Sequence, residues 1–137
     1  MSPGEARQTI LVIDDTPDTV KILKKQLEYW GYRALTATSG EAGLQVLDTE
    51  HPDLILLDIL MPKMKGREVC AHLKANPQTK DIPVMFLTSL SLPDHIKTGL
   101  ELGAEDYIVK PFQPDDLKAR IQTCLARHQN PQPPSTT

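Results

Sequence analysis

Apolar residues along the chain fall into short unbroken runs that alternate with stretches where they recur every three or four positions. The runs predict strands buried on both faces, and the wider spacing predicts helices with one apolar face. Ile10-Leu11-Val12-Ile13 is the first run, stopping at Asp14-Asp15. Thr16-Pro17 then predicts a cap followed by proline at the first helical position, with Val20, Leu23, Leu27 and Trp30 on one face up to Gly31. Ala34 to Ala37 is a short second strand, and Ser39 is placed to cap a helix that turns Ala42, Val46 and Leu47 inward. Pro52 breaks that helix before the third strand, Leu54 to Leu57, which runs into Asp58. Gly66 opens a third helix with Val69 and Leu73 inside, closed near Asn76-Pro77. Ile82 to Leu87 is the fourth strand, followed by Thr88-Ser89 and a helix capped by Ser91, carrying Ile96 and Leu100, and ended by Gly103. Tyr107-Ile108-Val109 leads into Lys110-Pro111, and Pro114 starts a last helix with Leu117, Ile121 and Leu125 on one face.

Strand and helix alternate throughout, so the expected architecture is an α/β sandwich with parallel crossovers. Residues 1–8 are polar and turn-rich and are expected to be a flexible lead-in, residues 9–128 one domain, and residues 129–137 a disordered tail or linker. The 137 residues suffice for a single sizeable core, and the composition, 39% hydrophobic and 24% charged, is ordinary for a globular protein. A net charge of −3 gives no sign of nucleic-acid or membrane affinity. No membrane-spanning apolar stretch and no signal-peptide pattern is visible, so a cytoplasmic location is expected. Cys70 and Cys124 fall in helical patterns and are expected to be small core residues without zinc or redox partners. His51, His72, His95 and His128 show no metal-ligand spacing and are expected to be exposed.

The strand ends change this picture. Four of them carry a reactive or ionic group: Asp14-Asp15, Asp58, Thr88 and Lys110. In a parallel sheet these ends share one edge, where ligands of open α/β sheets bind. Three carboxylates in one pocket raise each other's pKa unless a cation joins them, and Mg²⁺, a hard ion bound by carboxylates and water, fits such a set. An Asp beside Mg²⁺, a lysine and a threonine is suited to attack a phosphoryl group while cations offset charge on the transferring oxygens. Each residue also has a plainer reading. The paired acids could be turn formers, Thr88 a strand filler, Lys110 a surface residue, and Tyr107 ordinary sheet packing.

Ile13-Asp14-Asp15, Asp58-Ile59-Leu60-Met61-Pro62 with Gly66, Leu87-Thr88-Ser89, and Gly103-Ala104-Glu105-Asp106-Tyr107 through Lys110-Pro111-Phe112 resemble the receiver domain of two-component response regulators. The resemblance spans nearly the whole chain in order and spacing. It implies a flavodoxin-like (βα)5 three-layer fold with strand order 2-1-3-4-5 and a cis Lys110-Pro111 bond. Asp58 would be the phosphoacceptor, supplied by a sensor histidine kinase or a histidine phosphotransfer protein. Asp15, Asp58 and the Leu60 backbone carbonyl would bind Mg²⁺, with Asp14 acting through a bridging water. Thr88 and Lys110 would contact the phosphoryl oxygens, and Tyr107 would turn inward as Thr88 moves. The fourth helix, fifth strand and fifth helix would present the switching surface to an output partner, leaving room for a phosphorylation-dependent homodimer. The domain would signal rather than act as an enzyme on other substrates.

The chain departs from the family pattern at Lys65, which stands where an acidic residue is usual, so Lys63, Lys65 and Arg67 are expected to form a basic rim. Gln113 replaces the more usual cap before Pro114. Leu60 and Leu90 occupy the two positions that in the family govern access of hydrolytic water. Neither side chain hydrogen-bonds water, so slow self-dephosphorylation is expected. Competing functions fit less well. A phosphohydrolase with an aspartyl-phosphate intermediate needs a second Asp two residues after the nucleophile, where this chain has Leu60 or Thr16. A flavin-binding module needs a hydroxyl- and glycine-rich loop after the first strand, where Asp14-Asp15 would repel the phosphate. A degenerate scaffold would not need the full acidic set. The cognate kinase, the output, and whether the chain stands alone or belongs to a larger protein are not written in these residues.

Overall fold

In the computed structural model, which describes residues 7–129, five parallel strands stand in the order β2-β1-β3-β4-β5. They are β1 (Thr9–Ile13), β2 (Arg33–Ala37), β3 (Leu54–Leu57), β4 (Val84–Thr88) and β5 (Asp106–Val109). The helices between them are α1 (Pro17–Tyr29), α2 (Gly40–Val46), α3 (Gly66–Ala75), α4 (Pro93–Glu101) and α5 (Pro114–Gln129). This is the flavodoxin-like order. It places the crossovers so that the carboxyl ends of β1 and β3 are neighbours, with β4 next. Most of the expected lead-in and nearly all of the expected tail lie outside the described residues. Gln8, the last residue of that lead-in, already accepts a backbone bond from Arg33.

Strand side chains alternate between faces, and the core divides accordingly into two layers. Ile10, Val12, Leu54, Leu56, Met85, Leu87 and Ile108 pack against Val20, Leu23 and Leu27 of α1 and Leu117, Ile121, Cys124 and Leu125 of α5. The intervening strand residues, Leu11, Ile13, Ile55, Leu57, Val84 and Phe86, face the opposite way, onto Val69, Cys70 and Leu73 of α3 and the partly buried residues of α2 and α4. Strands without polar breaks are thus explained by apolar layers on both sides.

Several local expectations need correction. Thr16 bounds α1 without a side-chain cap, because its own amide is taken by Asp14 Oδ1 at 3.0 Å and Pro17 removes one orphan donor. Ser39 does cap α2, accepting from Ala42 N at 3.0 Å, but the buried residues of that helix are Gly40 and Gly43, while Ala42, Val46 and Leu47 are half-buried. Gly43 lies against Ile13, and this close approach leaves no room for larger side chains to enter first. β4 begins at Val84 rather than Ile82, and α4 begins at Pro93 with Leu92, not Ser91, as its boundary. Leu100 is 44% exposed, since α4 turns Gly99 inward, 2.9 Å being all that would separate an added Cβ from the Tyr107 ring. His95 is half-buried, not exposed. Gly31 and Gly103 follow α1 and α4 at positive φ, as helix-ending glycines do.

Candidate functional site

The carboxyl edge of the sheet collects the polar strand ends. Asp14 extends β1, its amide bonded to Ala37 O, and Asp58 extends β3, its amide bonded to Ile13 O at 3.0 Å. These backbone bonds carry strand pairing one residue past each strand and hold both acids against the sheet. Asp14 is 2% exposed and Asp58 6%, while Asp15 is half-buried. One carboxylate oxygen from each of the three lies within 4.8 Å of the others. Lys110, whose amide bonds to Thr88 O, reaches in from the end of β5. Its Nζ is 2.6 Å from Asp14 Oδ2 and 3.6 Å from Asp58 Oδ2, so the lysine pairs first with Asp14 and second with the expected phosphoacceptor.

Asp58 is ordered at both oxygens. Oδ1 accepts from Leu60 N at 3.1 Å, and Oδ2 faces Lys110. Burial pushes its carboxyl above the ordinary value, and Asp14 adds to the rise; Lys110, the Thr88 hydroxyl and the Leu60 N–H oppose it. A buried acid whose largest perturbation is lost hydration stands to gain from a cation. Three carboxylates offering only oxygen are a hard donor set, which fits Mg²⁺.

Gly66 sets the distance between the Asp58 loop and α3. A Cβ there would collide with the Asp58 carbonyl oxygen and lie 2.7 Å from Ile59 Cα, both backbone atoms. Gly66 N donates to Ile59 O at 3.1 Å, and the Lys65 amide donates to Glu68 Oε1 at 3.0 Å, so α3 starts tightly under the loop. Lys63 and Lys65 are exposed, with Lys63 in the left-handed region at φ 63°. Arg67, expected on the same basic rim, is instead half-buried and close enough to Tyr107 to act on its hydroxyl electrostatically.

Thr88 is fully buried with its hydroxyl bonded to the Asp58 carboxylate. The same Oγ1 accepts from Leu90 N at 3.4 Å, and Tyr107 Oη donates to Leu90 O at 2.7 Å. Tyr107 therefore points inward, its ring tilted at 54° to Phe86 with centroids 6.0 Å apart. Burial raises the pKa of its phenol. The link through the Leu90 backbone escaped sequence reasoning because main-chain atoms carry no residue signature. Leu60 is 45% exposed and Leu90 half-buried, so both flank the pocket.

A second cluster was also missed. At the other edge of the sheet, Glu105 Oε1 lies 2.8 Å from His128 Nε2 and 3.2 Å from Arg127 Nη1. Burial would raise the Glu105 pKa, but His128 and Arg127 together outweigh it and hold the carboxyl below its ordinary value. Cys124, expected to lack partners, sits within 4.8 Å of both Glu105 and His128 ligand atoms. The i, i+4 spacing of Cys124 and His128 was the available signal.

A parallel sheet in this order, with three acids, a lysine and a threonine at its carboxyl edge, defines a phosphoacceptor-type signalling domain. Residues 10–122 match the response regulator receiver domain, and the chain belongs to that family. It is 46% identical over 126 residues to "Probable transcriptional regulator ycf27" of Cyanophora paradoxa, covering 91% of this chain and 51% of that protein. It is 45% identical over 117 residues to "Probable cyclic di-GMP phosphodiesterase" of Vibrio cholerae, covering 85% of this chain and 26% of that protein. Among solved structures, the signal receiver domain of a signal transduction histidine kinase from Syntrophus aciditrophicus superimposes with a TM-score of 0.82 at 35% identity, over 95% of this chain and 97% of that one. The chain spans about half the length of the ycf27 relatives it matches. No helix among the described residues is long and apolar enough to cross a membrane.

Proposed function

We propose that residues 9–128 accept a phosphoryl group on Asp58 from a phosphohistidine of a histidine kinase or phosphotransfer protein, in a Mg²⁺-dependent reaction. The observation that carries this reading is the convergence of Asp14, Asp15 and Asp58 within 4.8 Å, with Lys110 Nζ 3.6 Å from Asp58 Oδ2. Asp14, Asp15, Asp58 and the Leu60 carbonyl would hold Mg²⁺, which when bound supplies positive charge against the carboxylates and the transferring oxygens. An Asp58 carboxylate oxygen forms the new bond to phosphorus as the phosphorus–nitrogen bond of the donor breaks and the imidazole leaves. Leu60 N orients the carboxylate, Lys110 offsets the developing charge, and the Thr88 hydroxyl donates to a phosphoryl oxygen.

Thr88 also carries the consequence outward. Its hydroxyl holds Leu90 N, and Leu90 O holds the Tyr107 hydroxyl, so a shift of Thr88 toward a phosphoryl group loosens or re-forms both bonds. The affected atoms border α4, β5 and α5, the face that would present the signal to an output partner or a second copy of the chain. Function in the cytoplasm, without direct nucleic-acid contact by this domain, accords with the net charge of −3. The test is incubation with Mg²⁺ and acetyl phosphate followed by intact mass. A phosphate-sized gain that disappears in Asp58→Ala and without Mg²⁺ is expected; a gain that survives Asp58→Ala would overturn the assignment.

A further inference from the structure

We propose that Glu105, Cys124 and His128 form a second metal site, selective for a borderline-soft divalent ion such as Zn²⁺. Their ligand atoms, a carboxylate oxygen, a thiol sulfur and an imidazole nitrogen, all lie within 4.8 Å of one another. Tetrahedral Zn²⁺ bonded at about 2.0–2.3 Å holds such donors roughly 3.3–3.8 Å apart, within reach of a side-chain adjustment. The donors come from two elements that the fold fixes independently. Cys124 and His128 are one turn apart on the same face of α5, and Cys124 is anchored in the core at 3% exposure. Glu105 is fixed at the entrance to β5 by its amide bond to Val84 O at 2.8 Å. Because Glu105 precedes β5 while Asp58 follows β3, the site lies at the opposite edge of the sheet from the acidic pocket.

The two clusters differ in chemistry as well as place. The acidic pocket offers oxygen alone and suits a hard ion, whereas thiolate and imidazole with one carboxylate suit zinc and its neighbours. A cavity of about 170 Å³, lined in part by Glu105, Thr123, Cys124 and Arg127, adjoins the donors and leaves space for a water as fourth ligand. On binding, Cys124 gives its proton to solvent as the sulfur–metal bond forms, and the Arg127 guanidinium, on a side chain 60% exposed, leaves Glu105 for water. The bound ion would pin the last turns of α5 to the loop that feeds β5.

The experiment is titration of the whole 137-residue chain with Co²⁺, read by thiolate-to-cobalt charge-transfer absorption in the near ultraviolet. A band saturating at one ion per chain is expected, displaced by Zn²⁺ and insensitive to excess Mg²⁺. It should persist in Cys70→Ser and Asp58→Asn, vanish in Cys124→Ser, and require at least about tenfold more Co²⁺ in Glu105→Gln and His128→Asn. His128 is exposed, so His128→Asn preserves the fold and carries the test should Cys124→Ser misfold. Absence of a thiolate band, its survival in Cys124→Ser, or Co²⁺ affinity unchanged in His128→Asn would each overturn the proposal.

Discussion

Replacing Gly66 with alanine tests whether the close approach of α3 to the Asp58 loop is what positions the phosphoacceptor. The new Cβ would run into the Asp58 carbonyl oxygen and sit 2.7 Å from Ile59 Cα and 2.9 Å from the Asp58 carbonyl carbon. All three are backbone atoms, so no rotamer change relieves the clash. Ordinary carbon contacts begin near 3.5 Å, and the loop and helix must therefore part by roughly 0.8 Å. Overpacking of this kind costs about 1–3 kcal/mol, while alanine returns at most about 1 kcal/mol of helix propensity. Net destabilisation of about 1–2 kcal/mol corresponds to a fall in Tm of roughly 4–12 °C for a domain of this size. The functional effect should be larger than the stability effect. A displacement approaching 1 Å in a reacting group costs on the order of 10²-fold in rate. The assays are thermal unfolding and the initial rate of Asp58 phosphorylation by acetyl phosphate. Gly43→Ala is the control, because there the added Cβ meets the Ile13 side chain, far from the carboxylates. It should lower Tm with little change in rate. If Gly66→Ala retained both the Tm and the rate of the parent, the argument that this glycine sets the Asp58 geometry would be refuted.

Other expectations follow from the same geometry. Since burial raises the Asp58 pKa, the folded state retains a proton at pH values where the unfolded chain has lost it, so this group's contribution to stability falls as pH rises from the ordinary carboxylate value through the folded one. Asp58→Asn should flatten that part of the pH profile and raise the urea midpoint at neutral pH; a lower midpoint would mean that the carboxylate is net stabilising. Tyr107→Phe removes the donor to Leu90 O and should cost about 1 kcal/mol by urea unfolding, more if the carbonyl stays dry, with the phosphorylation rate nearly unchanged. A large loss of phosphorylation rate instead would place Tyr107 in the chemistry. Slow self-dephosphorylation, expected from apolar Leu60 and Leu90, is checked by following decay of the phosphorylated protein with and without Leu60→Asn; identical decay would remove Leu60 from that role.

Much of the fold was legible before any coordinates. Unbroken runs such as Leu54 to Leu57 identify strands covered on both faces, and Leu117, Ile121 and Leu125 identify the inner face of α5, because burial acts on side chains at fixed backbone periods. The acids at Asp14, Asp15 and Asp58 were legible because a parallel sheet sends every strand's carboxyl end to one edge. What was misjudged depends on close approach. Leu100 has the right spacing to face inward, but α4 seats Gly99 on Tyr107 and turns Leu100 to solvent. Val46 and Leu47 yield the deepest positions of α2 to Gly40 and Gly43 for the same reason.

Sequence by itself determined the alternation of elements, the two apolar layers and the group of residues at the carboxyl edge, since these follow from local periodicity and the direction of the chain. Tertiary structure decided which atoms meet: Lys110 with Asp14 ahead of Asp58, Tyr107 with a backbone carbonyl, Glu105 with Cys124 and His128. Those contacts join residues far apart in the chain at distances of a few ångströms. Only the packing of helices on the sheet sets such distances, and no pattern along the chain encodes them directly.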